Sequence, residues 1–247
     1  MEFKTKIKRR FISLKEFLIS QPSRHLACKK LVEILYSQHH QSQYQIKKTS
    51  LASLACSSLK PVMSCYPPKD GNMSLQEILV ISALCMYYQP QTILEIGTFN
   101  GLTTLQLALN TPPSTIIHTL DIESLSGLDG ALWEEDIKFM LHPEKKEKYY
   151  RNFPERSKIQ EHLGNSLTYD FNRFQSPNFI FIDGGHSYPI VKSDTIKSLE
   201  ILSNQGIIIW HDYCCHCEGV FRYLNKLQEK IPLHHIEGTS LVVYQKL

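Results

Sequence analysis

The chain is poor in the features that mark special classes. Glycine and proline number 11 and 12 among 247 residues. That is too few for a collagen-like or low-complexity chain. No apolar run is long enough for a bilayer: the longest, Ile78 to Tyr88, is about half a membrane span and is interrupted by Ser82. Cysteine gives no disulfide framework, because the seven are odd in number and scattered at 28, 56, 65, 85, 214, 215 and 217. The basic N-terminus falls short of a signal peptide, because charges break its apolar stretch FISLKEFLIS. A reducing, cytoplasmic setting is expected.

The net charge is also small, +3, but it is a remainder. Residues 1–60 hold 12 Lys/Arg and 3 Asp/Glu, a balance of +9, and the other 187 hold 15 and 21, a balance of −6. An apolar fraction of 42% excludes wholesale disorder. The length suits one generous α/β domain with an appendage. Residues 1–40 carry helical patterning, with Phe11, Leu14, Phe17 and Leu18 on one face and a second apolar pattern from Leu26 to Tyr36. Such a basic amphipathic segment can lie on an anionic membrane surface or grip a partner, or it can pack on its own domain. Residues 37–72 are polar and then carry Pro61, Pro67, Pro68 and Gly71, which places the boundary there. The expected organisation is a basic helical appendage and linker over 1–70 and a folded domain over 71–247.

From Gly71 onward the signals sharpen. Ser74 and Glu77 have the spacing of a capping box, with Met73 and Ile78 as its staple, ahead of a helix from Leu75 to Tyr88. Apolar strand candidates then alternate with helices: TILEIG, IIHTLDI, IQEHLG, NFIFIDG and GIIIWHDY, with LHHIEG and TSLVVYQKL as a closing hairpin. Short apolar strands alternating with helices mean a parallel sheet covered on both faces.

LEIGTFNG, Leu94 to Gly101, is a buried strand running into a glycine turn and a helix start. Residues without Cβ let a ligand approach the backbone, and the helix start adds free N–H donors. A dinucleotide turn wants a second glycine where Phe99 stands, which counts against a nicotinamide-dependent oxidoreductase. No Lys-Ser/Thr follows, so it is no P-loop. Glu95 suits a cationic ligand. Asp121, at the end of the next strand, can accept both hydroxyls of a ribose, with Glu123 as the alternative. Asp183 and His186 follow the fourth strand, and His211 and Asp212 follow the fifth. In a parallel sheet these ends open on one edge, so the four converge beside the crevice. Two chemistries fit: a neutral histidine as general base, or a divalent Mg or Mn ion held by Asp183 and Asp212 with His211. Zinc bound by Cys214, Cys215, His216 and Cys217 is disfavoured, since four adjacent ligands cannot wrap one tetrahedral ion. Oxidation sensitivity or contact with a substrate suits those cysteines better. The charged, aromatic stretch 133–158 reads as a substrate lid or a solvated helix, with Tyr149, Tyr150 and Arg151 as the residues to watch. The acidic balance of residues 61–247 argues against nucleic acid as a partner.

Taken in order, EIGTFNGLTTLQLA, TLDIE, GNS, FIDGGHSYPIVKSD, GIIIWHDY and EGTSLVVY resemble the class I S-adenosylmethionine-dependent methyltransferases, and within them methyltransferase domain family 24. The resemblance implies a doubly wound, mostly parallel seven-stranded sheet with the last strand antiparallel, a Rossmann-like methyltransferase fold carrying the helical appendage. It implies S-adenosylmethionine as cofactor, held at Glu95, Gly97, Thr98, Phe99 and Gly101 around the methionine part. Asp121 would hold the ribose, and Asn165 and Ser166 would lie near the adenine, with Asp183 closing the site. Metal-dependent relatives place a pair of acidic or amide residues where this chain has His211 and Asp212. The implied reaction is in-line methyl transfer to a hydroxyl oxygen of a small molecule or glycan. His186 is the first choice for base and His211 the second. The alternative is a non-catalytic binding or scaffold module of the same fold.

Overall fold

A computed structural model describes residues 44–54, 58–65, 71–123, 134–141 and 147–246. The helices expected within residues 1–40, and parts of the charged stretch, lie outside the described residues. The chain divides into two compact units, 1–45 and 46–247, and the second contains the sheet.

Its elements are β1 Lys48–Thr49, α1 Leu51–Leu54, α2 Leu75–Tyr88, β2 Thr92–Ile96, α3 Leu102–Leu109, β3 Ile116–Asp121, α4 Glu134–Met140, β4 Ile159–Leu163, β5 Phe179–Ile182, α5 Tyr188–Ile201, β6 Ile207–Trp210, α6 Glu218–Leu227, β7 His234–Ile236 and β8 Val242–Gln245. The strand order is β1-β7-β8-β6-β5-β2-β3-β4. β8 runs antiparallel to β6 and β7, and the other pairings are parallel. The sheet is therefore the expected doubly wound one with an eighth strand added. β1 pairs with β7 through Lys48 and His235, so the sheet draws on residues upstream of Gly71.

The strands are apolar because both faces are covered. All four residues of β5 and of β6 are buried. The capping box forms as expected: Ser74 Oγ accepts from the Glu77 backbone N–H at 3.3 Å, and the Ser74 N–H donates to Glu77 Oε2 at 3.0 Å. Met73 and Ile78 are both buried in the core cluster. Parts of the charged stretch 133–158 lie outside the described residues. Among the described residues it holds only α4 and two 3-10 turns, Tyr149–Asn152 and Pro154–Lys158. Pro154 opens the second turn because it lacks an N–H to donate, which costs nothing at a helix start.

From β2 the chain winds outward through β3 to β4, then returns to the other side of β2 as β5 and β6. That reversal leaves a crevice at the carboxyl ends of β2 and β5. The strand ends are in register: Gly97 N–H donates to Leu120 O, Asp183 N–H to Ile96 O and His211 N–H to Ile182 O, at 2.9, 2.8 and 3.1 Å.

Candidate active site

A cavity of about 360 Å³ opens at these strand ends. Of the residues expected there, Gly97, Thr98, Phe99, Asp121, Asn165, Ser166, Asp183, His186, His211 and Asp212 line it. The glycine turn is shaped by backbone demands. Gly97 has φ +97°, and a Cβ on it would sit 2.0 Å from the Asp183 carbonyl oxygen. Phe99 also has positive φ, +46°, and its carbonyl accepts from Lys148 Nζ. Asp121 ends β3 with Oδ1 accepting from the Ile122 N–H at 2.9 Å and Oδ2 3.7 Å from Lys148 Nζ.

Two of the expected cofactor residues do not reach the cavity. Glu95 is fully buried beneath it. One carboxylate oxygen, Oε2, accepts from both Thr104 Oγ1 and Thr119 Oγ1 at 2.5 Å, and the other, Oε1, has no hydrogen-bond partner. Burial raises its pKa, the two threonines offset part of this, and the result is about 8. Burial therefore favours the neutral carboxyl. The strand alternation sets its direction: Glu95 lies one position before Ile96 and faces into the layers. Gly101 is the N-cap of α3, and a Cβ there would meet the Tyr150 ring at 2.4 Å, so this glycine makes room for an aromatic side chain. Tyr150 is correspondingly buried and packs as core, not as a lid. A group raised above its unfolded pKa stabilises below the unfolded value and loses that contribution as pH rises through the folded one. Glu95→Gln should therefore match the parent in melting temperature near pH 4.5 and exceed it by several degrees above pH 8. Thermal unfolding across that range checks this, and a deficit that grows with pH would contradict it.

The histidines are held differently from a free base. His186 places Nδ1 2.5 Å from Asp136 Oδ1 and Nε2 2.6 Å from Asp212 Oδ2. Both ring nitrogens face carboxylates, which only accept, so both must donate. Burial alone would lower the His186 pKa, but the two carboxylates outweigh it and hold the ring protonated well above 6.5. His211 is also held: Nδ1 lies 2.9 Å from Asp183 and 3.1 Å from Asp212, and Nε2 lies 3.5 Å from Glu77. Its pKa too is raised well above 6.5, by Asp212 and Asp183 against the pull of burial. In this arrangement the ring nitrogens of both histidines face carboxylates, which favours the protonated rings. Burial raises the Asp183 pKa. Burial would raise Asp212 and Glu77 as well, but the imidazolium partners hold both well below the usual carboxylate range.

The donor atoms of Asp183, His211 and Asp212 lie within 4.8 Å of one another, close enough for one ion. His211 Nδ1 lies between the two carboxylates and Asp212 Oδ2 is shared with His186, so an ion held here would take the place of the proton on His211 Nδ1.

Two site residues escaped the sequence reading. Glu77 had the spacing of a helix cap, yet its Oε1 also accepts from Ser240 N–H and Oγ at 2.8 Å while Oε2 faces His211. Asp136 sat unmarked in the charged stretch, and it reaches His186 from 50 residues away. Nothing in local spacing announces such a pairing. Past Asp212 the cysteine cluster borders the cavity through His216 and Cys217. The interaction of Cys214 with Cys217 lowers Cys214 to about 7 and, with burial, raises Cys217.

The fold is like that of solved S-adenosylmethionine-dependent methyltransferases. Residues 94–213 match the family model described as Methyltransferase domain, family 24, whose motifs the sequence resembles. Among solved structures, the O-methyltransferase TomG from Streptomyces achromogenes, involved in tomaymycin synthesis and in complex with S-adenosylmethionine, is 16% identical with a TM-score of 0.51 over 87% of this chain and 96% of its own. The S-adenosylhomocysteine-bound methyltransferase PaMTH1 from Podospora anserina is 16% identical with a TM-score of 0.53 over 73% of this chain and 82% of its own. At these identities the likeness is one of fold. No curated protein sequence matches the chain. Among the described residues no helix is long and apolar enough to cross a membrane.

Proposed function

We propose that this chain transfers a methyl group from S-adenosylmethionine to a hydroxyl oxygen of a small-molecule or sugar acceptor. The observation that carries the reading is the placement of Asp183, which lines the cavity directly beside the glycine turn and is oriented by His211. The residues present suit the cofactor. All of them line the cavity: Asp121 would accept the ribose hydroxyls, Asn165 and Ser166 would border the adenine, and the Gly97–Phe99 backbone would face the methionine part. When bound, the cofactor supplies a methyl group already activated by the positive sulfonium.

The protein's task is then to position an oxygen and take its proton. Asp183 is the proton acceptor: its raised pKa makes it a better base than a solvated aspartate, and one oxygen is fixed by the His211 bond at 2.9 Å. His186 and His211 act as positioning cations that keep Asp183 and Asp212 in place. The net field of the four acids, Glu77, Asp136, Asp183 and Asp212, over two imidazoliums remains negative and favours a cationic cofactor. Asp121→Ala should weaken binding of S-adenosylmethionine more than tenfold by calorimetry, because two ribose hydroxyls lose a charged acceptor. Binding within threefold of the parent would remove Asp121 from the site.

The function itself is tested by Asp183→Asn. Cofactor affinity should stay within about tenfold while turnover on a panel of phenolic and sugar hydroxyls falls about 10²–10⁴-fold. Parent-like turnover would reject Asp183 as the base. Failure of the parent protein to bind S-adenosylmethionine at all would reject the methyltransferase reading and favour the scaffold alternative.

A further inference from the structure

The cysteines after β6, of which Cys217 lines the cavity, are not used by methyl transfer. Cys214, Cys215 and Cys217 follow β6 directly, and all three are unpaired by disulfides. Cys214 and Cys217 have Cys-x-x-Cys spacing and sit on one turn, closed by the Cys217 N–H donating to the Cys214 carbonyl at 3.2 Å. Cys217 is the N-cap of α6, a helix of 10 residues. The pair is unequal in exposure: Cys214 is half-buried and Cys217 is buried. A reachable sulfur with a buried one on the same closed turn is the arrangement that thiol–disulfide exchange requires, one sulfur to attack and one to resolve. Cys215 is adjacent to Cys214, but a bridge between neighbours would close a strained ring.

We propose that Cys214 and Cys217 form a reversible dithiol–disulfide site in the wall of the cavity, with low-molecular-weight disulfides such as glutathione disulfide as its oxidant. The Cys214 thiolate attacks one sulfur of the small disulfide. That S–S bond breaks, a mixed disulfide forms, and the first small thiol leaves with the bonding pair and takes up the proton released by Cys214. The Cys217 thiolate then attacks Cys214 Sγ and expels the second small thiol, which takes up the Cys217 proton. Two protein thiols become one disulfide, and the oxidant becomes two thiols, so electrons and protons balance. Bond formation needs the sulfurs to close to about 2.05 Å, and the closed turn places both side chains on one segment. Cys217 Sγ lies within 4.8 Å of the donor atoms of His186 and Asp212, so the redox couple stands directly against the imidazolium network. The inference goes beyond methyl transfer and does not depend on it.

The full-length protein is equilibrated in buffers of graded reduced to oxidised glutathione, quenched in acid, alkylated and digested with trypsin. Peptide 198–222 contains Cys214, Cys215 and Cys217 and no other cysteine. The expected result is loss of two alkylation sites on this peptide in one step toward the oxidising end, reversed by dithiothreitol. Cys215→Ser keeps that step. Cys217→Ser abolishes it and leaves a glutathione adduct on Cys214, and Cys214→Ser, at the more exposed position, leaves Cys217 alkylated throughout. Full alkylation of all three thiols across the series overturns the proposal. So does a step that survives Cys217→Ser but is lost in Cys215→Ser, because the bridge would then join neighbouring residues.

Discussion

Gly97→Ala is expected to destabilise the fold by about 3 kcal/mol or more and to abolish measurable cofactor binding. Two causes add. Gly97 has φ +97°, which an L side chain rarely adopts, and the added methyl would lie 2.0 Å from the Asp183 carbonyl oxygen and 2.5 Å from its carbon. The obstacle is backbone, not a flexible side chain, so no rotamer change relieves it. Gly97 cannot retreat easily, since its N–H is tied to Leu120 O at 2.9 Å. The ends of β2 and β5 must part, and Asp183 moves with β5, taking the partner of His211 with it. Urea unfolding and calorimetry with S-adenosylhomocysteine read the two effects. A variant that unfolds at the parent's midpoint and binds normally would show that the strand ends are looser than described.

The second large effect is expected at Asp212. Its Oδ2 lies 2.6 Å from His186 Nε2 and 3.1 Å from His211 Nδ1, so one carboxylate oxygen separates two imidazoliums. Asp212 also has φ +60°. Asparagine tolerates that region about as well as aspartate, so Asp212→Asn removes charge while sparing the backbone. The two rings then lose their shared anion, and their pKa values fall toward 6.5. Removing one partner of a buried ion pair costs about 3–5 kcal/mol, and a misplacement of about 1 Å in the site costs about 10²-fold in turnover. Turnover, urea unfolding and NMR titration of the two rings read these effects together. For the parent, folded pKa values raised above 6.5 mean that the histidines stabilise fully below 6.5 and lose this contribution as pH rises through the raised values. Asp212→Asn should flatten that alkaline decline. Unshifted ring titrations would remove Asp212 as the common anchor.

Much of the sheet was legible because its code is local. Buried parallel strands read as short apolar runs, and the capping box fixes where α2 begins. β1 was not legible, since Lys48–Thr49 has no strand pattern of its own and pairs only because β7 presents a parallel edge. The crevice was legible for the same topological reason that made the strands so: residues that follow parallel strands meet at one edge, as Asp121, Asp183, His211 and Asp212 do.

What the amino-acid order determined by itself was therefore the parallel α/β sheet, the glycine turn and the set of polar residues at the strand ends. Periodicity and turn chemistry act over a few residues, and the chain records them directly. Only the tertiary structure decided what those residues do to one another. It buried Glu95 behind the turn, where loss of water raises its proton affinity. It brought Asp136 and Glu77 from distant helices against His186 and His211, which raises the proton affinity of both rings. Proton affinity depends on the charges and dielectric within a few ångströms, and those neighbours come from segments that the sequence separates by tens of residues.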